Sequence, residues 1–348
     1  MDSSVKGNFK WRYLLGVWLI YFAFGVMMVS MAPLVSVITN DLKISSTKMG
    51  SILGAWPLVY IFMAIPCGAF IDRFGLKKSL FLAALIMSFS GLFRSISHDH
   101  ISMFLSVAIF GIGGPLISIG APKLISNYFV NKNRGLAMGI YITGPALGSI
   151  IALTTTNSLF MPIFENNWRS VILFFSFFVF LTSLIWLYLS KTMIFENSKK
   201  SKFSLFAQLI IYLDLIKIRN VQILLVMSVG IFFYSHGLSN WLPEILRLKN
   251  MTLTQAGYWA ALPTVAGIIG SLTIPRLANR KRRIFIFALL VFFAMAATIL
   301  LIFDTNPILS IGLIFQGLSR GTLMTIAILI LMESPGVPAK YMGAAGGL

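Results

Sequence analysis

Gly68-Ala-Phe-Ile-Asp72-Arg73-Phe-Gly75-Leu76-Lys77-Lys78 is a charged, glycine-bearing stretch set between two apolar runs, 47–70 and 79–97. Each run approaches the roughly 20 apolar residues that a helix needs to cross a bilayer. Gly68 and Gly75 permit close packing and a tight turn, and Asp72 can accept hydrogen bonds at an exposed helix start and pair with a nearby cation. The stretch reads as a short aqueous loop joining two membrane spans.

Composition extends that reading to the whole chain. Of 348 residues, 57% are hydrophobic and 11% charged, and the mean hydropathy is +0.88. A soluble domain of this length is not so apolar, so a soluble enzyme is excluded. Charged and turn-forming residues mark off ten spans, near 13–39, 47–70, 79–97, 101–128, 135–158, 170–190, 220–243, 254–275, 284–303 and 306–332. The first follows Lys6, Lys10 and Arg12 and has no small-residue cleavage site, which makes it a retained span and not a signal peptide. A single cysteine, Cys67, rules out an intrachain disulfide.

Lys and Arg number 28 against 10 Asp and Glu, a net charge of +18. Most of the cations lie in the N-terminus, the even-to-odd loops and the segment 191–219; the opposite loops hold only Lys43, Lys48, Arg94, Arg169, Arg247 and Lys249. Cytoplasmic loops retain cations, so the N-terminus is expected in the cytoplasm, with the protein integral to the cytoplasmic (plasma) membrane. The excess charge reflects topology. Scattered over short loops, it suits anionic membrane lipid and not nucleic acid.

The polar interval 191–219 divides the chain into an expected N-terminal six-helix bundle, 1–190, a cytoplasmic linker, and a C-terminal bundle, 220–348. Part of the linker, Phe203 to Ile218, has the pattern of an amphipathic surface helix. The halves echo each other: Gly111 is matched by Gly317, Gly68 by Gly270, and Gly135-Leu-Ala137-Met-Gly139 by Gly343-Ala-Ala345-Gly-Gly347. Similar offsets imply a duplicated six-span unit. On that arithmetic two further spans are expected after Leu348.

The stretch from Gly68 to Lys78 resembles the loop motif of the major facilitator superfamily of secondary transporters: Gly, three residues, Asp-Arg, one residue, Gly, then basic residues. It departs at Leu76, where the family usually has a basic residue. Asn133-Arg134-Gly135-Leu-Ala137-Met-Gly139, after the fourth span, belongs to the same resemblance, which covers all ten spans by spacing. It implies an all-α polytopic fold of two six-helix bundles related by a pseudo-twofold axis, operating as a monomer, with the last two spans missing here. It also implies that Gly68, Asp72, Arg73, Gly75, Lys77 and Lys78 form a cytoplasmic gate, Asp72 pairing near the eleventh span. Simple positive-inside anchoring by Arg73, Lys77 and Lys78 holds either way. Gly139, Gly144-Pro145 and Gly148 are similar to a glycine–proline pattern that the family associates with exchangers; ordinary helix packing and bending accounts for them equally.

Arg320 lies mid-way along the apolar stretch Pro307 to Met332, where a full charge is tolerated only beside protein or a watery cavity. Gln316 sits one turn away on the same face, with Gly317 and Gly321 expected to leave room beside them. A guanidinium fork matches a carboxylate or small oxyanion, and Gln316 adds a donor. The alternative is an arginine bonded to backbone carbonyls between helices. Lys123 has two readings, snorkelling to the headgroups or attracting substrate. His236 and Asn240 share a face of the seventh span near Tyr234, for packing or for proton relay.

No Asp or Glu lies securely within a span, so the interior is cationic or neutral and favours an anion. His98-Asp99-His100 lacks further ligands for a metal, and Asn250-Met251-Thr252 is only a formal glycosylation sequon. No phosphate-binding Gly-x-x-x-x-Gly-Lys-Ser/Thr loop is present, and no cofactor is implied. The expected function is secondary active or facilitative transport of a small organic or inorganic anion, the halves rocking about a midplane site. Aromatics such as Trp56, Tyr60, Tyr141 and Tyr234 keep efflux of amphipathic compounds open. A non-transporting relic or membrane sensor is the third reading.

Overall fold

The computed structural model describes residues 5–129, 131–193, 213–303 and 306–332. Among them nine helices are long and apolar enough to cross a membrane, and there is no strand. In chain order the helices are α1 (Val5–Val29), α2 (Val35–Leu42), α3 (Ser46–Ser95), α4 (His100–Tyr128), α5 (Asn131–Thr155), α6 (Met161–Ile163), α7 (Trp168–Leu189), α8 (Arg219–Arg247), α9 (Leu253–Leu277), α10 (Arg283–Leu300) and α11 (Asn306–Met332). All ten expected spans are helical. Nine helices suffice because α3, 50 residues long, contains the second and third spans joined at Gly75.

Gly75 has φ 80° and ψ 165°, a conformation open in practice only to glycine. The break lies inside a continuous run of helix, so the loop is tighter than its charges suggest. Asp72 is correspondingly not at a helix start, as expected, but three residues before the break, at the end of the first half of α3. Gly75→Ala should destabilise the protein by about 1–3 kcal/mol. Gly68→Ala is the control, since an added Cβ there meets only Ile119 Cδ1 at 4.0 Å. The two thermal-unfolding midpoints in detergent should differ accordingly; equal midpoints would remove Gly75's special role.

The first span is interrupted where a single helix was expected. After Val29 the chain passes through Ser30 and Met31 into a 3₁₀ turn, Ala32–Leu34, before α2. Pro33 has no N–H to continue the ladder, so carbonyls of the preceding turn lose partners. Arg94 takes up one of them: its Nη1 donates to Met27 O at 3.1 Å and lies 3.5 Å from Ser30 Oγ. Arg94 was grouped with the loop cations, yet it is 2% exposed and its guanidinium lies 5.3 Å from the Phe110 ring centre. The fifth span runs on through a π turn, Thr156–Phe160, into α6.

The chain forms two compact units, Met1–Ser201 and Lys202–Leu348. Their boundary falls within the expected linker, whose residues 194–212 are outside the described residues, as is most of the proposed surface helix. The terminal glycines Gly343 to Gly347 also lie outside them. In unit 1, α3 packs on α4 and α7, and α1 packs on α5 and α7; in unit 2, α11 packs on α8, α9 and α10.

The echo between the halves has a packing basis. A Cβ on Gly111 would collide with the carbonyl oxygen of Trp56, and one on Gly317 with that of Pro263. Pro57 and Pro263 are separated by the same 206 residues as Gly111 and Gly317. The same backbone-to-backbone approach, a glycine of one helix against the proline-bearing turn of another, is thus built once in each unit.

Candidate functional site in the membrane-spanning helices

In unit 2 the polar groups gather on α8 and α11. Ser319 donates its hydroxyl to Phe315 O at 2.7 Å, as a helical serine can. With that proton committed, the 3.2 Å contact between Tyr234 Oη and Ser319 Oγ has the tyrosine as donor. Arg320 follows Ser319 and is half-buried. Tyr234 and His236 both lie within electrostatic reach of it. Among the described residues Arg320 forms neither an ion pair nor a hydrogen bond to a backbone carbonyl, so the carbonyl-bonded alternative finds no support there.

One turn before it, Gln316 is fully buried. Both its Nε2 and its Oε1 lack partners. A buried amide with neither end satisfied is costly, of the order of 1–3 kcal/mol per group. His236 stacks on Phe232, ring centres 5.6 Å apart and 8° from parallel, while Asn240, one turn on, is half-buried.

The space expected beside Gly317 and Gly321 is occupied. A Cβ on either would run into the backbone of α9, at Pro263 and at Gly267 respectively. These glycines seat α11 on α9 and do not open a cavity around Arg320.

Among the described residues of unit 2 no acidic group is paired with this cluster: Glu244, near the end of α8, accepts from Arg247 at 2.6 Å. In unit 1 Asp41 accepts from Arg169 at 2.5 Å. No group of three metal-binding side chains occurs among the described residues. His98-Asp99-His100 is a capped helix start: Asp99 accepts the Ser102 N–H at 2.7 Å, which holds its carboxyl below the usual carboxylate range. His100 Nε2 lies 2.8 Å from Ser51 Oγ.

In unit 1 Lys123 has a partner that neither of its expected readings named. Its ammonium is bonded to the Asp72 carboxylate across α4 and α3, each side chain a little over a third exposed. Arg73 lies over the Phe74 ring at 5.3 Å, Lys78 is exposed, and the Lys77 carbonyl accepts the Trp186 indole N–H at 2.9 Å. Gly144 and Gly148 press against the α1 backbone at Trp18 and Phe22, and Gly25 of α1 presses against Pro145; Gly139 faces open space. The glycine–proline pattern is therefore first of all an α1–α5 packing surface.

Also in unit 1, an aromatic cluster joins α1, α3, α4 and α5. Phe24 stacks on Phe110 with centres 5.1 Å apart, Trp56 meets Phe110 edge-on at 5.6 Å, and Tyr21 meets Tyr141 at 5.4 Å. Tyr60 Oη is bonded to Ser118 Oγ at 2.5 Å.

The family model of the Major Facilitator Superfamily matches residues 17–348. The chain belongs to this superfamily. Like other members of the Major Facilitator Superfamily, it is an integral membrane protein of apolar helices. It is 30% identical over 116 residues, 33% of this chain and 27% of the relative, to the hexuronate transporter of Bacillus subtilis (strain 168). It is 26% identical over 253 residues, 68% of this chain and 54% of the relative, to the probable L-galactonate transporter of Escherichia coli (strain K12). The chain thus spans at most about half the length of these curated relatives. The solved structure of the nucleoside transporter NupG shares the fold, with TM-score 0.81 at 14% identity over 98% of this chain and 86% of that one.

Proposed function

We propose that this member of the Major Facilitator Superfamily carries a small anion across the membrane by alternating access, with Arg320 as the anion's charge partner. The observation that carries the reading is the pairing of an arginine that has no acid partner among the described residues with the unsatisfied Gln316 amide one turn away. A guanidinium in a low-dielectric surround favours a carboxylate or oxyanion held through its planar fork. The names of the two relatives, transporters of hexuronate and L-galactonate, point to the same charge. Tyr234, His236 and Asn240 complete the polar side of the path. The distribution of basic residues supports a cytoplasmic N-terminus.

Uptake into proteoliposomes tests this reading. Labelled small carboxylates and nitrate should enter in a saturable manner, and cationic amphipathic dyes should not accumulate. The second reading, efflux of amphipathic compounds, draws on the aromatic cluster of Phe24, Trp56, Tyr60 and Phe110. Dye accumulation that is indifferent to Arg320→Ala would favour it.

Within the cytoplasmic gating loop, Gly68 to Lys78, the Lys123–Asp72 pair holds the second and fourth spans together. Asp72→Asn weakens that pair and shifts the balance of inward- and outward-open forms, which is read as a changed rate of cysteine labelling from each side. Unchanged labelling would reduce the loop to an anchor.

A further inference from the structure

We infer that the turn joining α9 and α10 in unit 2 seats the headgroup of an anionic phospholipid. The phosphate lies against Arg280, Lys281 and Arg282, and the acyl chains lie on Leu277, Ile284 and Phe285. The inference is independent of the cargo.

The eight residues Arg276-Leu-Ala-Asn-Arg-Lys-Arg-Arg283 hold five cations, and no Asp or Glu occurs between Glu244 and Asp304. Two of the five serve the fold itself. Arg276 stands in the last turn of α9, where the negative end of the helix dipole favours a cation. Arg283 donates from Nε to Ala278 O and from Nη1 to Leu329 O, both at 3.2 Å, and so ties the end of α9 to α11. Arg280, Lys281 and Arg282 are consecutive and exposed. They stand just before or at the start of α10, whose first turn has no acid and whose positive dipole end opposes cations. Mutual repulsion adds to that cost, and an anion relieves both.

The turn is held in shape beneath these charges. Asn279 accepts the Arg282 N–H at its carbonyl oxygen, 3.0 Å, and at Oδ1, 3.2 Å. A preformed turn gives up little freedom when it takes a ligand. Leu277, Ile284 and Phe285 are 64%, 75% and 70% exposed. They belong to the ends of two helices long and apolar enough to cross the membrane, and so lie nearer the hydrocarbon than the cations do. A phospholipid presents the matching two layers, an anion outside and chains inside. A soluble phosphate lacks the second.

The corresponding stretch of unit 1 is built differently. At the interval that relates Gly68 to Gly270, Asp72 corresponds to Ile274, and Asp72 is paired with Lys123. Unit 1 carries its own carboxylate in this loop; unit 2 takes a phosphate from the membrane. General positive-inside anchoring accounts for cations in either loop, but predicts no saturable binding selective for one headgroup and one loop.

The test adds phosphatidylglycerol, phosphatidylcholine or soluble glycerol 3-phosphate to the purified protein in neutral detergent and follows the thermal-unfolding midpoint. Phosphatidylglycerol should raise the midpoint saturably, because a ligand stabilises the state it binds, and the other two should not. Arg280→Gln with Lys281→Gln and Arg282→Gln should raise the half-saturating mole fraction of phosphatidylglycerol at least about 10-fold, each cation near an anionic surface contributing roughly 5-fold. Lys281→Gln alone should raise it about 5-fold, which keeps the test available should the triple variant not fold. Lys77→Gln with Lys78→Gln, in the unit 1 loop, should leave it within about 2-fold of wild type.

No rise with phosphatidylglycerol, an equal rise with phosphatidylcholine or glycerol 3-phosphate, or an unchanged half-saturation in the α9–α10 variants overturns the lipid seat. Equal losses from the two loops overturn it as well, and reduce both to general anchoring.

Discussion

Arg320→Ala is expected to lower anion uptake by at least about 30-fold, because truncating one member of a desolvated charge pair costs about 2–5 kcal/mol. Arg320→Lys separates charge from geometry. It keeps the positive charge but loses the two parallel donors of the guanidinium, so uptake should fall by an intermediate factor, about 10-fold, at unchanged protein yield. Gln316 and Tyr234 would still be in place, which makes the lysine variant the sharper of the two. Full retention of uptake by lysine would mean that the anion is not held by a fork. Full retention by alanine would remove Arg320 from the path.

The second large effect concerns assembly. Gly317→Leu should prevent unit 2 from packing, since even a Cβ at this position strikes the carbonyl oxygen of Pro263 and lies 2.7 Å from the Ala266 Cβ. Backbone atoms cannot swing aside as a side chain can, so α11 would have to leave α9. Overpacking of a close-packed contact costs about 1–3 kcal/mol even where neighbours adjust, and a leucine against backbone exceeds that range. The expected readout is loss of monodisperse protein on size exclusion, with Gly237→Ala, whose Cβ meets nothing within 4 Å, eluting as wild type. Gly111→Leu should fail in the same way if the two units share this contact. Normal elution of Gly317→Leu would mean that α9 and α11 are not seated on each other.

The contrast between these two positions shows which features are legible along the chain. Spans are legible because bilayer thickness imposes a length on every apolar run, and Gly75 because its charged surroundings mark a turn. Arg320 is legible too, since an ionised group stands out against twenty apolar neighbours. Whether a small residue makes room or makes contact is not, because both uses put glycine on a helix face; Gly317 and Gly321 were expected to open space and instead admit α9. Arg94 is the clearest omission. It lies four residues from the His98 loop, so it reads as a loop cation, and its burial is decided by the Met27 carbonyl 67 positions earlier. Pro33, in the midst of an apolar run, was the one available signal that the first helix breaks and frees such a carbonyl. The partner of Lys123 was illegible for a similar reason, Asp72 being 51 positions away on another helix. Local pattern locates the elements; which groups meet across them depends on packing.

The central claim, that Arg320 holds the charge of the cargo, is tested most directly by calorimetric titration of the purified protein with glucuronate, gluconate and nitrate. Wild type should bind at least one of them saturably, and Arg320→Ala should show no heat of binding under the same conditions while its thermal-unfolding midpoint without ligand is retained. Saturable binding to Arg320→Ala with the wild-type Kd would contradict the account.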